Sequence, residues 1–322
     1  MPIVDCSAYS PSVIYKNGHL NTILSHYRRS TTKVKFHRHR LLTPDDDFID
    51  IDSILKQSKK LVVLLHGLEG SSESSYIHTF SAKLAQTNRY DIRILNYRGC
   101  SGESNQRLQM YHSGATQDID TLISYYQHEY EDIYVIGFSL GGNLILKYLG
   151  ENMYDSHQCI SKAVAISPPT DLESCSYKIM ESQNILYEKR FLRSLKAKAS
   201  EKAEEYPDQL SLSTVKSIRK LYDFDNLITG PIHGFTDASD YYAQSSSKQF
   251  LSSIHTPTLI ITAEDDPFLS AAAIPYAEAE ANDQLYLAAS MYGGHVGFGG
   301  YKQGLSWMLE KCLHFMDSPN IL

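Results

Sequence analysis

Three side chains far apart in the chain have the types that acyl transfer needs: a serine, a carboxylate and a histidine, in that order. Ser139 stands in Gly137-Phe138-Ser139-Leu140-Gly141, between the apolar run Ile133-Tyr134-Val135-Ile136 and a helix-like segment from Asn143 to Gly150. A Gly-x-Ser-x-Gly turn from strand to helix holds a hydroxyl clear of the backbone, because the glycines remove bulk that so tight a turn cannot accommodate. Further on, Thr258-Leu259-Ile260-Ile261-Thr262-Ala263 reads as a strand running into the acidic turn Glu264-Asp265-Asp266-Pro267. Spacing from the strand and the small Ala263 favour Asp266 as the carboxylate that faces the serine, with Asp265 as the second choice. The competing reading is a turn whose carboxylates only cap the next helix. His295 lies in Tyr292-Gly293-Gly294-His295-Val296-Gly297-Phe298, where glycines let a loop fold back and set an imidazole between acid and serine. In such a set the serine attacks a carbonyl, the histidine takes its proton and the carboxylate orients the imidazole.

Charge that develops on a carbonyl oxygen needs donors. His66-Gly67-Leu68 follows the apolar run Leu61 to Leu65, and a His-Gly-x turn there can aim a main-chain amide at the same point as the amide after the serine. The oxyanion hole is therefore expected at the backbone N–H groups of Leu68 and Leu140. His66 is expected to support the turn, since it precedes the serine and so breaks the order serine, acid, histidine.

These residues must be positioned by a scaffold, and the hydrophobic pattern describes one. Lys33 to Leu42 and Phe48 to Ile54 read as two strands joined by Thr43-Pro44-Asp45-Asp46-Asp47. Short β-branched runs then recur at Leu61 to Leu65, Ile92 to Tyr97, Ile133 to Ile136, Ala163 to Ile166 and Thr258 to Ile261, and Gln284 to Leu287 reads as a last strand. Segments of helical spacing, Tyr76 to Gln86, Ala115 to His128 and Asn143 to Gly150, lie between them. The alternation predicts an α/β fold with a mostly parallel central sheet flanked by helices. Between about Asp171 and Phe250 no strand is apparent, so a helical cap or lid insertion is expected at 171–250, between core segments 1–170 and 251–322.

The chain has 322 residues and a net charge of −7, which argues against a nucleic-acid-binding protein. Its five cysteines, Cys6, Cys100, Cys159, Cys175 and Cys312, form no Cys-x-x-Cys pair and read as reduced thiols. Neither a signal peptide nor a membrane-spanning stretch is apparent, so a cytoplasmic address is expected. No cofactor and no metal are expected. His37 and His39 share one side of a strand but lack a third ligand, and Asp45-Asp46-Asp47 lacks calcium-loop spacing.

Several segments together resemble the YheT-like branch of the α/β-hydrolase superfamily: Asn17 to Ile23, His66 to Gly70, Asn96 to Gly102, Tyr111 to Gly114, Gly137 to Asn143, Ala263 to Phe268 and Gly293 to Phe298. The resemblance spans nearly the whole chain and implies the α/β-hydrolase fold with Ser139, Asp266 and His295 as nucleophile, acid and base. It implies a serine esterase acting on small-molecule or lipid esters through an acyl-enzyme. It also implies that 231–235 and 240–242 close the cap against the core. Asn21 departs from a common glutamine, and the membrane anchor of the animal members is not in this sequence. A lipase, a phospholipase or an acyltransferase of the same fold, and a non-catalytic binding protein, are the alternatives. A serine at the elbow excludes the usual haloalkane and epoxide hydrolases, whose nucleophile is a carboxylate.

Other features have plainer readings. The basic stretch Arg28, Arg29, Lys33, Lys35, His37, Arg38, His39 and Arg40 fits a charged edge strand better than a lipid- or nucleic-acid-binding patch. Arg98 is expected to brace loops through backbone carbonyls and Cys100 to pack as a small buried group. Tyr111 to Gly114 reads as a helix start capped by Ser113.

Overall fold

The computed structural model describes residues 3–28, 34–300 and 306–318. Its centre is an eight-stranded sheet: β1 (His37–Leu42), β2 (Phe48–Ile54), β3 (Lys60–Leu65), β4 (Asp91–Asn96), β5 (Asp132–Phe138), β6 (Ile160–Ile166), β7 (Thr258–Ala263) and β8 (Leu285–Ser290). The spatial order is β1-β2-β4-β3-β5-β6-β7-β8. β1 and β2 are antiparallel, β2 meets β4 antiparallel, and β4 through β8 are parallel neighbours. Helices α1 (Gly18–Arg28), α2 (Ser75–Gln86), α3 (Gln117–Tyr126) and α4 (Leu140–Gly150) belong to the core.

Alternation along β3 shows why both faces must be covered. Leu61, Val63 and Leu65 pack with Leu122 of α3 and Leu144 of α4. Val62 and Leu64 point the other way, to Phe80 of α2 and Phe315 of the last helix, Ser306–Asp317. A strand buried on both faces needs a continuous apolar run, as found here. The parallel register also fixes the site: Leu65 lies opposite Gly137, and Phe138 opposite Ile166. The segments that follow β3, β5 and β6 therefore emerge side by side at one sheet edge. The chain order reverses about β3, and that is where open α/β sheets bind ligands.

Between β6 and β7 every named element is helical. α5 (Leu172–Ile179) and α6 (Ile185–Glu205) are followed by Leu212–Ser217, Leu221–Phe224, a π-turn at Asp225–Thr229 and Ala238–Ser245. Leu192, Leu195 and Ala199 of α6 share a small core with Val215, Ile218 and Phe224, which reaches Leu108 and Met110 of the loop before α3.

Three expectations change in detail. β1 begins at His37, and Lys33 and Arg29 lie outside the described residues. α3 begins at Gln117 with Thr116 as its N-cap, so Ser113 does not cap it. Arg98 braces loops, but through carboxylates: its guanidinium meets Asp118 at 2.8 and 3.0 Å, Asp45 at 2.6 Å and Asp47 at 3.4 Å. The basic edge is also internally matched. Arg38 lies opposite Asp52 and Arg40 opposite Asp50, and each guanidinium makes two hydrogen bonds of 2.7–2.9 Å to its partner.

Arg98 and Asp118 are both buried, with side chains 5% and 3% exposed. Burial pushes the Asp118 carboxyl up, whereas the guanidinium holds Asp45 down at about 2. Removing the cation strands the carboxylates, so Arg98→Leu is expected to lower the unfolding free energy by about 3–5 kcal/mol, read as a lower urea midpoint. An unchanged midpoint would show that the pair is dispensable.

Candidate active site

Ser139 is the residue between β5 and α4, and it adopts φ +53° and ψ −118°. A non-glycine residue pays about 1–3 kcal/mol for such a conformation. The surroundings enforce it. A Cβ at Gly137 would stand 2.2 Å from the Gly141 carbonyl oxygen, and one at Gly141 would stand 2.5 Å from that of Leu65. The Ser139 N–H donates to the Ile166 carbonyl at 2.8 Å, which ties the turn to β6.

From β7 and β8 come the other two groups. Ser139 Oγ lies 2.8 Å from His295 Nε2, and His295 Nδ1 lies 2.8 Å from Asp266 Oδ2. Asp266 Oδ1 accepts the Phe268 N–H at 2.8 Å, so the carboxylate is fixed at both oxygens. Its side chain is fully buried. A proton on Nδ1 is then donated to the carboxylate, which leaves Nε2 free to accept from the serine hydroxyl.

The loop bearing His295 is held by partners that local sequence does not advertise. Thr22 Oγ1 of α1 accepts the His295 N–H at 2.8 Å, and Ser167 Oγ accepts the Val296 N–H at 3.0 Å. Asp265, the second choice for the acid, accepts the Gly294 N–H at 2.8 Å and does not reach the imidazole. It anchors the loop beside the residue it was weighed against.

Leu68 and Leu140 line the same cavity as Ser139 and His295. Among the described residues neither main-chain N–H donates to another group. His66 is buried: its Nδ1 donates to the Gly67 carbonyl at 2.8 Å and its Nε2 accepts the Tyr97 N–H at 3.3 Å. Burial depresses its pKa to about 3, so the ring is neutral and committed to the turn. Arg98 does not line this cavity, which removes it from contact with anything bound there.

The cavity is walled on one side by Leu172 and Cys175 of α5 and Phe191 and Leu195 of α6. A polar patch, Asp225, Thr229 and Tyr242, interrupts the apolar lining. Tyr242 and Thr229 donate to Asp225 at 2.6 and 2.8 Å, and burial pushes that carboxyl up to about 6. Tyr111, His112 and Ser113 form part of the wall, which is the role of the segment expected to start a helix. Residues 231–235 and 240–242 do meet the core: His233 Nε2 lies 2.8 Å from the Met110 carbonyl oxygen, and Tyr241 OH accepts the Ser113 N–H.

A second cluster ties the insertion to the turn after β3. Lys198 Nζ of α6 lies 2.9 Å from Glu69 Oε1, Ser194 Oγ donates to Glu69 Oε2, and Tyr111 OH donates to Oε1 at 2.6 Å. Glu69 directly follows Leu68. Its side chain is 5% exposed.

A parallel sheet with one antiparallel hairpin, a strained serine between strand and helix, and a histidine bridging it to a buried carboxylate define an α/β hydrolase. Residues 60–298 match the family described as alpha/beta hydrolase fold. The chain belongs to that family, in its YheT-like branch: YheT of Escherichia coli K12 is 38% identical over 89% of this chain and 85% of its own. A monoacylglycerol lipase of Saccharomyces cerevisiae is 29% identical over 87% of this chain and 63% of its own length. Human phospholipase ABHD3 is 27% identical over 92% and 75%. Among solved structures, the Pyrococcus furiosus esterase Pf2001 shares the fold at 16% identity with a TM-score of 0.58, covering 88% of this chain and 89% of its own. No helix among the described residues is long and apolar enough to cross a membrane.

Proposed function

We propose that this protein is a serine hydrolase that cleaves carboxylic esters through an acyl-enzyme. The observation that carries the reading is the row of two 2.8 Å contacts from Ser139 through His295 to Asp266. In this mechanism Ser139 Oγ attacks the ester carbonyl while His295 Nε2 takes its proton. Asp266 steadies the imidazolium, and the amides of Leu68 and Leu140 receive the developing oxyanion. His295 next protonates the departing alcohol. Water, deprotonated by the same ring, then releases the acid and restores the serine.

The relatives named as lipase and phospholipase support an ester substrate, and the apolar α5–α6 wall suits an acyl chain. Residues 171–250 act as the cap over core segments 1–170 and 251–322. Free thiols and a net charge of −7 support a cytoplasmic setting. The test is the purified chain against p-nitrophenyl and glycerol esters graded from two to sixteen carbons, with a fluorophosphonate probe in parallel. Turnover with serine labelling is expected. A chain that neither hydrolyses any of these esters nor reacts with the probe is not a serine hydrolase.

Glu69 is assigned a positioning role, holding the Leu68 amide through Lys198, Ser194 and Tyr111. Glu69→Gln keeps the shape but discharges the contact to Lys198. It is expected to lower kcat for p-nitrophenyl butyrate about tenfold with KM nearly unchanged, because misplaced donors weaken only the transition state. A change confined to KM would remove this role.

A further inference from the structure

α1 is amphipathic the wrong way round for a helix packed on a core. Its buried residues are Gly18, Asn21 and Ser25, while Leu20, Ile23 and Tyr27 are 43%, 40% and 79% exposed. Positions 20, 23 and 27 fall on one stripe of a helix, opposite the buried face. Polar contacts explain how the helix is held without burying that stripe. Asn21 Nδ2 donates to the Tyr15 carbonyl at 2.8 Å, Asn21 Oδ1 accepts the Gly299 N–H at 2.9 Å, and Thr22 takes the His295 N–H. The apolar side is left facing outward.

The exposed stripe does not stand alone. Val13 and Ile14 precede it and are exposed, and so are Ile185 and Leu186 at the start of α6. His19 stacks on Tyr187 with ring centroids 5.9 Å apart, which joins the two helices. Tyr187 in turn packs on Phe268, and Phe268 on His295 at 4.4 Å. The apolar surface thus borders the residues around the cavity. Its N-terminal part carries charge of one sign, since from position 6 to position 44 there is no Asp or Glu although the whole chain carries −7. Of the acids next to it on the α6 side, Glu188 is buried and Glu181 pairs with Lys178. Lys16, Arg28, Lys189 and Arg190 are exposed on α1, α6 and the segment before α1.

We propose that α1 and the start of α6 form a docking surface for an anionic lipid bilayer, with the cavity side turned to the membrane. Eleven residues of helix span about 16 Å, too short to cross a hydrocarbon core of about 30 Å, so α1 lies in the interface plane. The apolar stripe enters the head-group boundary and the flanking cations meet lipid phosphates. Arg38 and Arg40 take no part, since Asp52 and Asp50 hold them. The proposal goes beyond the ester-hydrolase reading and does not need turnover.

The test is co-sedimentation of the full chain with vesicles of phosphatidylcholine alone and of phosphatidylcholine with 30 mol% phosphatidylglycerol, at low and high salt. Binding to the anionic vesicles, weakened by salt, is expected. The exposed triple variant Leu20→Ser, Ile23→Ser, Tyr27→Ser should lose at least about tenfold in partitioning, and Lys16→Gln with Arg28→Gln a similar factor. Circular dichroism and the melting temperature of the triple variant report whether it is folded, separately from binding. The proposal is overturned if the parent leaves anionic vesicles unbound or if the folded triple variant binds as the parent does. A parent dimer that the triple variant dissociates would also overturn it, by making a second copy the occupant of the stripe.

Discussion

Ser139→Ala is expected to abolish fluorophosphonate labelling and to reduce ester turnover by about five to six orders of magnitude. The expectation rests on what remains after the change. Oxyanion amides and cavity walls persist, and on their own they leave roughly 10³–10⁴-fold acceleration over water in comparable sites. The lost atom is the one 2.8 Å from His295 Nε2. Folding should survive, because alanine keeps the Cβ that sits against the Gly67 turn and removes only a partly exposed hydroxyl. A melting temperature within about 3 °C of the parent would confirm that, since surface-type changes stay within ±0.5 kcal/mol. Parent-like hydrolysis by the folded variant would refute the acyl-enzyme reading outright.

The adjacent carboxylates give the second large effect and its own control. Asp266→Asn is expected to reduce kcat about 10⁴-fold, because an amide facing Nδ1 no longer favours the tautomer that leaves Nε2 free and no longer steadies an imidazolium. Asp265→Asn is expected to cost less than about tenfold, since its side-chain carbonyl can still accept the Gly294 N–H. The two variants differ by one position in the chain and by which loop atom they touch. Equal losses from both, or a larger loss from Asp265→Asn, would move the acid away from Asp266. The Asp265 carboxyl is pushed up, chiefly by burial, and one of its oxygens is buried without a partner. Neutralising that residue therefore has no electrostatic reason to harm the fold.

Glu69 and α1 illustrate the other kind of contribution, in which groups outside the serine–histidine–aspartate row govern how it is held or reached. Three residues from two regions of the chain, Tyr111 and the α6 pair Ser194 and Lys198, converge on Glu69 and its amide. α1 supplies Thr22 to the histidine loop from its inner side while its outer side stays apolar. If α1 docks as proposed, the same helix couples that surface to the geometry of the histidine loop.

Much of this was readable from residue order. Short apolar runs located the central parallel strands, since a strand buried on both faces of a sheet needs an unbroken apolar stretch, and the turn Thr43 to Asp47 between two extended segments located the charged edge hairpin. The Gly-x-Ser-x-Gly turn located its serine because the steric demand is local: Gly137 and Gly141 clash with backbone at once if given a side chain. The order of serine, acid and histidine followed from strands that each end at the same sheet edge. What tertiary structure alone decided were the pairings between residues remote in the chain. Thr22 holds a loop 273 positions away, Lys198 is 129 positions from Glu69, and Arg98 is clamped by Asp118 of α3 together with Asp45 and Asp47, which read as a turn. Local pattern is written by burial and backbone preference, which act between near neighbours. These contacts are set by strand register and by how the helical insertion folds back over the sheet, and no short window of sequence contains either.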